Sequence, residues 1–186
     1  MGRYAVIDVG SNTVRLCAYD VPKKKSVRGG KPRKIIDVKE SIGLSAFVEP
    51  PAGGFSMDGS RPGTMTQAGI DAAAKAVKRQ VKRAQAVCAD QVWVFATAAL
   101  RNCANSATAV AAVEEEAGAA VEVLSGEEET RLGLLGARLA FPLEEGVLID
   151  VGGGSTEVTR LFAEGARRAR ASRWERCRPI VSTSTA

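Results

Sequence analysis

Apolar residues recur with two different periods along this chain, and the changes of period mark out its elements. Residues 4–9 form a β-rich run, and residues 13–20, TVRLCAYD, alternate apolar with polar, which predicts an antiparallel partner for that run. Gly10, Ser11 and Asn12 supply the tight turn between them. RKIIDVKE, residues 33–40, predicts a third strand. Residues 44–65 are rich in proline and glycine and have no period, which predicts a mobile loop. Thr66 then caps a helix over 67–87, in which Ile70, Ala73, Ala74, Val77, Val81 and Ala84 fall on one face at helical spacing. QVWVFAT (91–97) predicts a buried strand, SATAVAAVEEEAG (106–118) a short helix and AAVEVLS (119–125) another strand. GEEETRLGLLGARLAF (126–141) predicts a helix entered through Ser125, and GVLIDVGGGSTEVTRLF (146–162) a second β-hairpin. The order β-β-β-α-β-α-β-α-β-β predicts an α/β fold with a mixed sheet whose first three strands form a meander.

Composition narrows the chemistry. A chain of 186 residues is long enough to bury a core, and no run of 18 apolar residues crosses a membrane. MGRYAVIDVG ends its short apolar run in an aspartate and lacks a cleavage-like site, so it does not read as a signal peptide, and a cytoplasmic location is expected. The sequence has no histidine, which excludes His-based triads and His metal ligands and leaves acid–base work to carboxylates. Cys17, Cys88, Cys103 and Cys177 are scattered, with no C-x-x-C pair, and are expected to be reduced and structural. The net charge of +5 is uneven: KKKSVRGGKPRK (23–34) contributes +7 and residues 164–186 contribute +4, so the rest carries 5 − 7 − 4 = −6. Aromatics are too sparse around the basic segment for base stacking, so no nucleic-acid partner is expected.

The candidate chemistry lies in a duplication. AVIDVGSNTVRL (5–16) and VLIDVGGGSTEV (147–158) both run an apolar strand into Asp, Val, Gly and polar residues. Glycines let the backbone approach a ligand and present N–H groups to it. Ser11, Asn12 and Thr13 add side-chain donors in one turn, Ser155 and Thr156 in the other. Either copy alone reads equally well as an ordinary glycine hairpin. Two facing copies could hold a phosphate chain from both sides, and the strand-end carboxylates could hold the divalent cation that phosphates need.

The paired turns resemble the phosphate-binding hairpins of the actin-like ATPase superfamily. IDVGSNTVRL, ATAALRNCANS, VLSGEEETRLG and LIDVGGGSTEV, in that order, resemble the exopolyphosphatase / guanosine pentaphosphate phosphohydrolase family within it, over residues 4 to about 160. The resemblance implies an actin-like (ribonuclease H-like) domain in residues 1–124 and the beginning of a second, incomplete one in 125–163. It implies a hydrolase that releases terminal orthophosphate from inorganic polyphosphate with Mg²⁺. Alternatives are 5′-phosphate removal from guanosine pentaphosphate, or an inactive phosphate- or alarmone-binding fragment. By the same resemblance Gly10, Ser11, Asn12, Thr13, Arg15, Arg101, Gly153, Gly154, Ser155 and Thr156 contact phosphate, and Asp150, Glu157 and Asp8 stand near the metal. Against the family pattern S-G-x-E-E-x-R-L, Glu129 takes the position of the catalytic base and Glu128 that of its neighbour, and Arg131 would pair with a carboxylate or substrate. On a helix, Glu127, Glu128 and Glu129 point about 100° apart, so at most two share a cleft, and the helix dipole alone accounts for the others.

The chain departs from that family twice. Where the family carries an Arg-Leu-Gly-x-Gly stretch after the third strand, the residues here are ESIGLSAF, without the arginine and with the second glycine either replaced by Ser45 or absent. From residue 164 the chain turns into a basic, Arg- and Ser-rich tail without period, expected to be disordered or the product of a frameshift.

Overall fold

A computed structural model describes residues 1–22, 31–54, 61–141, 145–153 and 155–161, and only the backbone of Glu157. The expectations for the basic segment 23–30, for Gly154 and for the tail beyond 161 lie outside the described residues.

Strands β1 (Gly2–Val9), β2 (Thr13–Val21) and β3 (Arg33–Ser41) form the expected antiparallel meander. A short pair, β4 (Val48–Glu49) with β5 (Thr64–Met65), follows, and then helix α1 (Gln67–Ala86). Strand β6 (Gln91–Ala96) leads into the one-turn helix α2 (Ala98–Arg101), then helix α3 (Ser106–Ala117) and strand β7 (Val121–Val123). Helix α4 (Gly126–Ala140) precedes the hairpin of β8 (Gly146–Val151) and β9 (Thr156–Leu161). The five-stranded sheet runs β3-β2-β1-β6-β7, with β1, β6 and β7 mutually parallel. The expected α/β class with a mixed sheet is therefore correct. β8 and β9 form a separate two-stranded sheet.

Period-two alternation decides which side of the sheet is core. Ala5, Ile7 and Val9 of β1, and Val14, Leu16 and Ala18 of β2, are fully buried. They join Ile70, Ala73, Val77, Val81 and Ala84 of α1 and Ala109 and Val113 of α3 in one core. Thr66 caps α1 as expected, its hydroxyl accepting from the Gly69 N–H at 3.2 Å. Gln80 is the exception on the buried face of α1: its Nε2 reaches Glu40 at 3.4 Å while Oε1 has no partner among the described residues.

Segment 44–65 differs from the expected loop at both of its ends. Residues Leu44–Phe47 form a 3₁₀ turn with Leu44 fully buried, and β4–β5 carries the buried Met65. Turn residues hide single apolar anchors that have no periodicity to betray them. α2 was also not expected, because four residues are too few to display a helical period.

Around α4 the picture reverses. The helix buries no residue, and Leu135, Leu139, Phe141, Val147, Ile149 and Val151 are exposed. Among the described residues no helix is long and apolar enough to cross a membrane.

Gly69 gives a test of the core. A helical Gly→Ala change ordinarily gains up to about 1 kcal/mol. At Gly69 a methyl would lie 2.5 Å from Phe47 Cβ and 2.6 Å from Met65 Sδ. Gly69→Ala should therefore destabilise the chain, by about 1–3 kcal/mol as other overpacked cores do. The urea midpoint measures it, and an unchanged or raised midpoint would show that the 44–65 segment does not clamp α1.

Candidate functional site

The two duplicated hairpins fold alike. In each, a glycine N–H donates to the carbonyl three residues on: Gly10 to Thr13 at 3.0 Å and Gly152 to Ser155 at 2.9 Å. Each turn spans four residues between its last paired positions, Val9↔Val14 and Val151↔Thr156. The aspartates take equivalent places, Asp8 opposite Arg15 and Asp150 opposite Glu157 in register. The turns also touch: a methyl built on Gly153 would overlap the side-chain amide of Asn12. A side chain at position 153 would therefore have to displace the Asn12 amide.

Sequence alternation places Asp8 on the face away from α1, because Ile7 and Val9 occupy the core side. Its side chain is exposed, with the charged groups of Glu129, Arg15 and Asp150 around it. That crowding raises its pKa above the ordinary carboxylate value; loss of hydration is the main cause, and the Glu129 and Asp150 carboxylates add repulsion that Arg15 partly offsets. Four of the residues singled out from the sequence, Asp8, Arg15, Glu129 and Asp150, thus share one electrostatic neighbourhood. Glu129, Thr130 and Gly133 of α4 line a small recess with Leu148, Asp150 and Thr159 of the second hairpin.

Glu129 and Arg101 form an ion pair at 2.8 Å, each side chain only 21% exposed. The same Nη1 donates to the Leu124 carbonyl at 2.7 Å, and Nε reaches Asn102 Oδ1 at 3.3 Å. The fully buried Leu100 anchors α2, and the Arg101 N–H donates to the Thr97 carbonyl at 2.9 Å, which sets the direction of the guanidinium. Glu128 turns elsewhere. It closes a capping box with Ser125, accepting from that residue's N–H at 2.9 Å and its hydroxyl at 2.8 Å, and these bonds lower its pKa. The neighbouring glutamate is thus a helix cap.

Arg15 sits beside Asp8 but its guanidinium is committed to Asp37 by two bonds of 2.8 Å, with Lys34 sharing the same carboxylate. This bidentate pair holds the Asp37 carboxyl well below its usual range. Asp37 was not singled out from the sequence, where it reads as one polar position of an alternating strand. Ser11 is buried, and Thr13 and Ser155 are half-buried in their turns. Gly154 and the side chain of Glu157 are outside the described residues.

Comparison with known proteins follows this geometry. Residues 57–168, more than half of the chain, match the Ppx/GppA phosphatase family. The chain is 32% identical over 159 residues to Exopolyphosphatase 1 of Mycobacterium tuberculosis, covering 84% of this chain and 42% of that protein. It is 33% identical over 159 residues to the Mycobacterium leprae protein of the same name, with the same coverage. An exopolyphosphatase structure from Cytophaga hutchinsonii superposes with a TM-score of 0.70 at 26% identity, covering 87% of this chain and 47% of that one. A Ppx/GppA family structure from Aquifex aeolicus gives a TM-score of 0.67 at 26% identity, covering 87% and 48%. The chain thus spans less than half the length of these relatives.

Asp8 supplies a pH test. A carboxyl whose pKa is raised by folding costs stability once ionised, and the cost disappears when pH falls below its ordinary value in the unfolded chain. Asp8→Asn should therefore raise the melting temperature at pH 7, and the gain should shrink as pH falls through about 4. Thermal melts at both pH values check this; a neutral or lowered melting temperature at pH 7 would contradict the crowding of the three carboxylates.

Proposed function

The chain belongs to the Ppx/GppA phosphatase family, and on that premise we propose that it carries the phosphate-gripping half-site of an exopolyphosphatase-type hydrolase, which removes terminal orthophosphate from inorganic polyphosphate. The observation that supports this reading most is the contact between the two glycine turns, Asn12 against Gly153, with Glu129, paired to Arg101, in the electrostatic neighbourhood of Asp8. Guanosine pentaphosphate offers the same terminal phosphoanhydride to such a cradle and is the second reading.

In this proposal the N–H groups and hydroxyls of Gly10–Thr13 and Gly153–Thr156, other than the Gly10 N–H that closes the first turn, hold the terminal phosphates. Arg101 has further N–H groups beyond those spent on Leu124, Asn102 and Glu129, and a guanidinium fork suits a phosphate. Arg15 supplies positive charge at the edge while Asp37 holds its direction. Glu129 orients a water for in-line attack on the terminal phosphorus. As the new P–O bond forms, the bond to the bridging oxygen breaks. The water's proton passes to Glu129, and orthophosphate and the shortened chain leave.

The donor set fits Mg²⁺. Asp8, Asp150 and Glu157 are hard oxygen donors, and Asp8 and Asp150 share a neighbourhood rich in negative charge. Among the described residues no three such groups converge into a closed cage. Mg²⁺ takes one or two protein carboxylates and completes its shell with water and phosphate. When bound, it would offset charge on the phosphate oxygens.

Residues 1–124 are read as the first actin-like domain and 125–163 as the beginning of a second, with 164–186 a basic tail. The separate β8–β9 sheet and the unburied α4 support that division.

Glu129→Gln keeps the shape but cannot accept a proton. In a protein that pairs this half-site with a complete second domain, the change should lower phosphate release from long-chain polyphosphate by about 10² to 10⁴, with polyphosphate binding largely retained. Phosphate release at the parent rate in the Gln variant would assign the activation of water to another group.

A further inference from the structure

The segment after β3 is fastened to the first glycine turn. The Ile42 and Gly43 N–H groups both donate to the Asn12 carbonyl, at 2.8 and 2.9 Å, and the Ser45 N–H donates to the Ser11 carbonyl at 3.1 Å. Gly43 takes a left-handed conformation, φ 65°, which reverses the chain, and Leu44 is wholly buried. Ser45 therefore follows a fixed anchor, and its hydroxyl donates to Asn12 Oδ1 at 3.3 Å.

That bond distinguishes the two ends of the Asn12 amide. With Oδ1 engaged by Ser45, Nδ2 faces the second turn: it is the nearest atom to a methyl built on Gly153, closer than Cγ or Oδ1. The amide has two N–H donors on Nδ2 and only acceptor capacity on Oδ1. Rotation by half a turn would present Oδ1 to the second turn in place of Nδ2, where it would repel a phosphate oxygen bound by both turns. A glycine at position 45, as in the related stretch, has no hydroxyl to choose between these orientations.

We propose that Ser45 is a positioning residue that holds the Asn12 amide with its Nδ2 donors toward the second glycine turn, where the two turns together bind a terminal phosphate. The inference rests on the proposed function above, that the paired turns take phosphate. It adds a residue that touches no substrate and acts through Asn12.

The test uses the full chain with tripolyphosphate and Mg²⁺ as the probe. Calorimetric titration gives affinity, and the Asn12 side-chain amide resonance reports its orientation. Ser45→Ala should weaken binding about three- to tenfold, the size of one lost hydrogen bond, and should shift the free protein's Asn12 signal. Ser45→Thr, which keeps the hydroxyl, should restore both. In an Asn12→Ala background, Ser45→Ala should have no further effect on affinity. Unchanged affinity in Ser45→Ala, or a loss that persists without the Asn12 amide, would overturn the role of Ser45 while leaving phosphate binding intact. Failure of the parent chain to bind tripolyphosphate would instead overturn the phosphate site and this inference with it.

Discussion

Strand β1 is the constraint on which the rest depends. It pairs with β2 on one side and β6 on the other, so its register is held from both edges. Its alternation then leaves no freedom: Ala5, Ile7 and Val9 must face α1, and Asp8 must face away. A slip of one residue would bury the carboxylate and expose three apolar side chains. The placement of one candidate ligand is thus a consequence of core packing. The turn that follows is equally bound, because β2 has to return in register with Val14 and Leu16 in the same core. Any chemistry at Gly10–Thr13 therefore occurs on the most rigidly determined part of the fold.

Charge around the site is arranged by reach. Arg15 and Arg101 each find a carboxylate, but on different terms. The Arg15–Asp37 pair is exposed and bidentate, so its worth lies in fixing direction rather than in stability. The Arg101–Glu129 pair is largely screened from solvent and is anchored further by the Leu124 carbonyl. There each charge relieves the cost of desolvating the other. Asp8 and Asp150 have no such arginine bond among the described residues, and loss of hydration, followed by the charges of Glu129 and Asp150, raises the pKa of Asp8 although Arg15 partly offsets it.

Much of this was legible in the sequence. The meander, the helices α1 and α3 and both hairpins carry periods long enough to recognise, and the duplicated strand–Asp–Val–Gly order pointed to the facing turns. What was not legible lacks a period. The Leu44 anchor and the β4–β5 pair depend on single buried residues in a segment that reads as loop. α2 is one turn long. Asp37 lies on an alternating strand where a polar residue is expected in any case, and only the cross-strand register shows that Arg15 and Lys34 meet it. Pairing across a sheet is a property of two strands, and one strand's sequence does not contain it.

The acidic start of α4 shows how one short run can divide its labour. Glu127, Glu128 and Glu129 all favour the positive end of the helix dipole, so composition treats them alike. Rotation by about 100° per residue separates them. Ser125 captures Glu128, because the capping box needs a carboxylate three residues beyond the cap. Once that box closes, the orientation of the first turn is set, and the next residue points where Arg101 meets it. Glu129 is held by its own ion pair and, one step earlier, by its neighbour's cap. The cap is exposed and individually weak, yet it fixes the phase of the helix. The precision of the half-buried Arg101–Glu129 pair is therefore inherited from a surface interaction made by the residue before it.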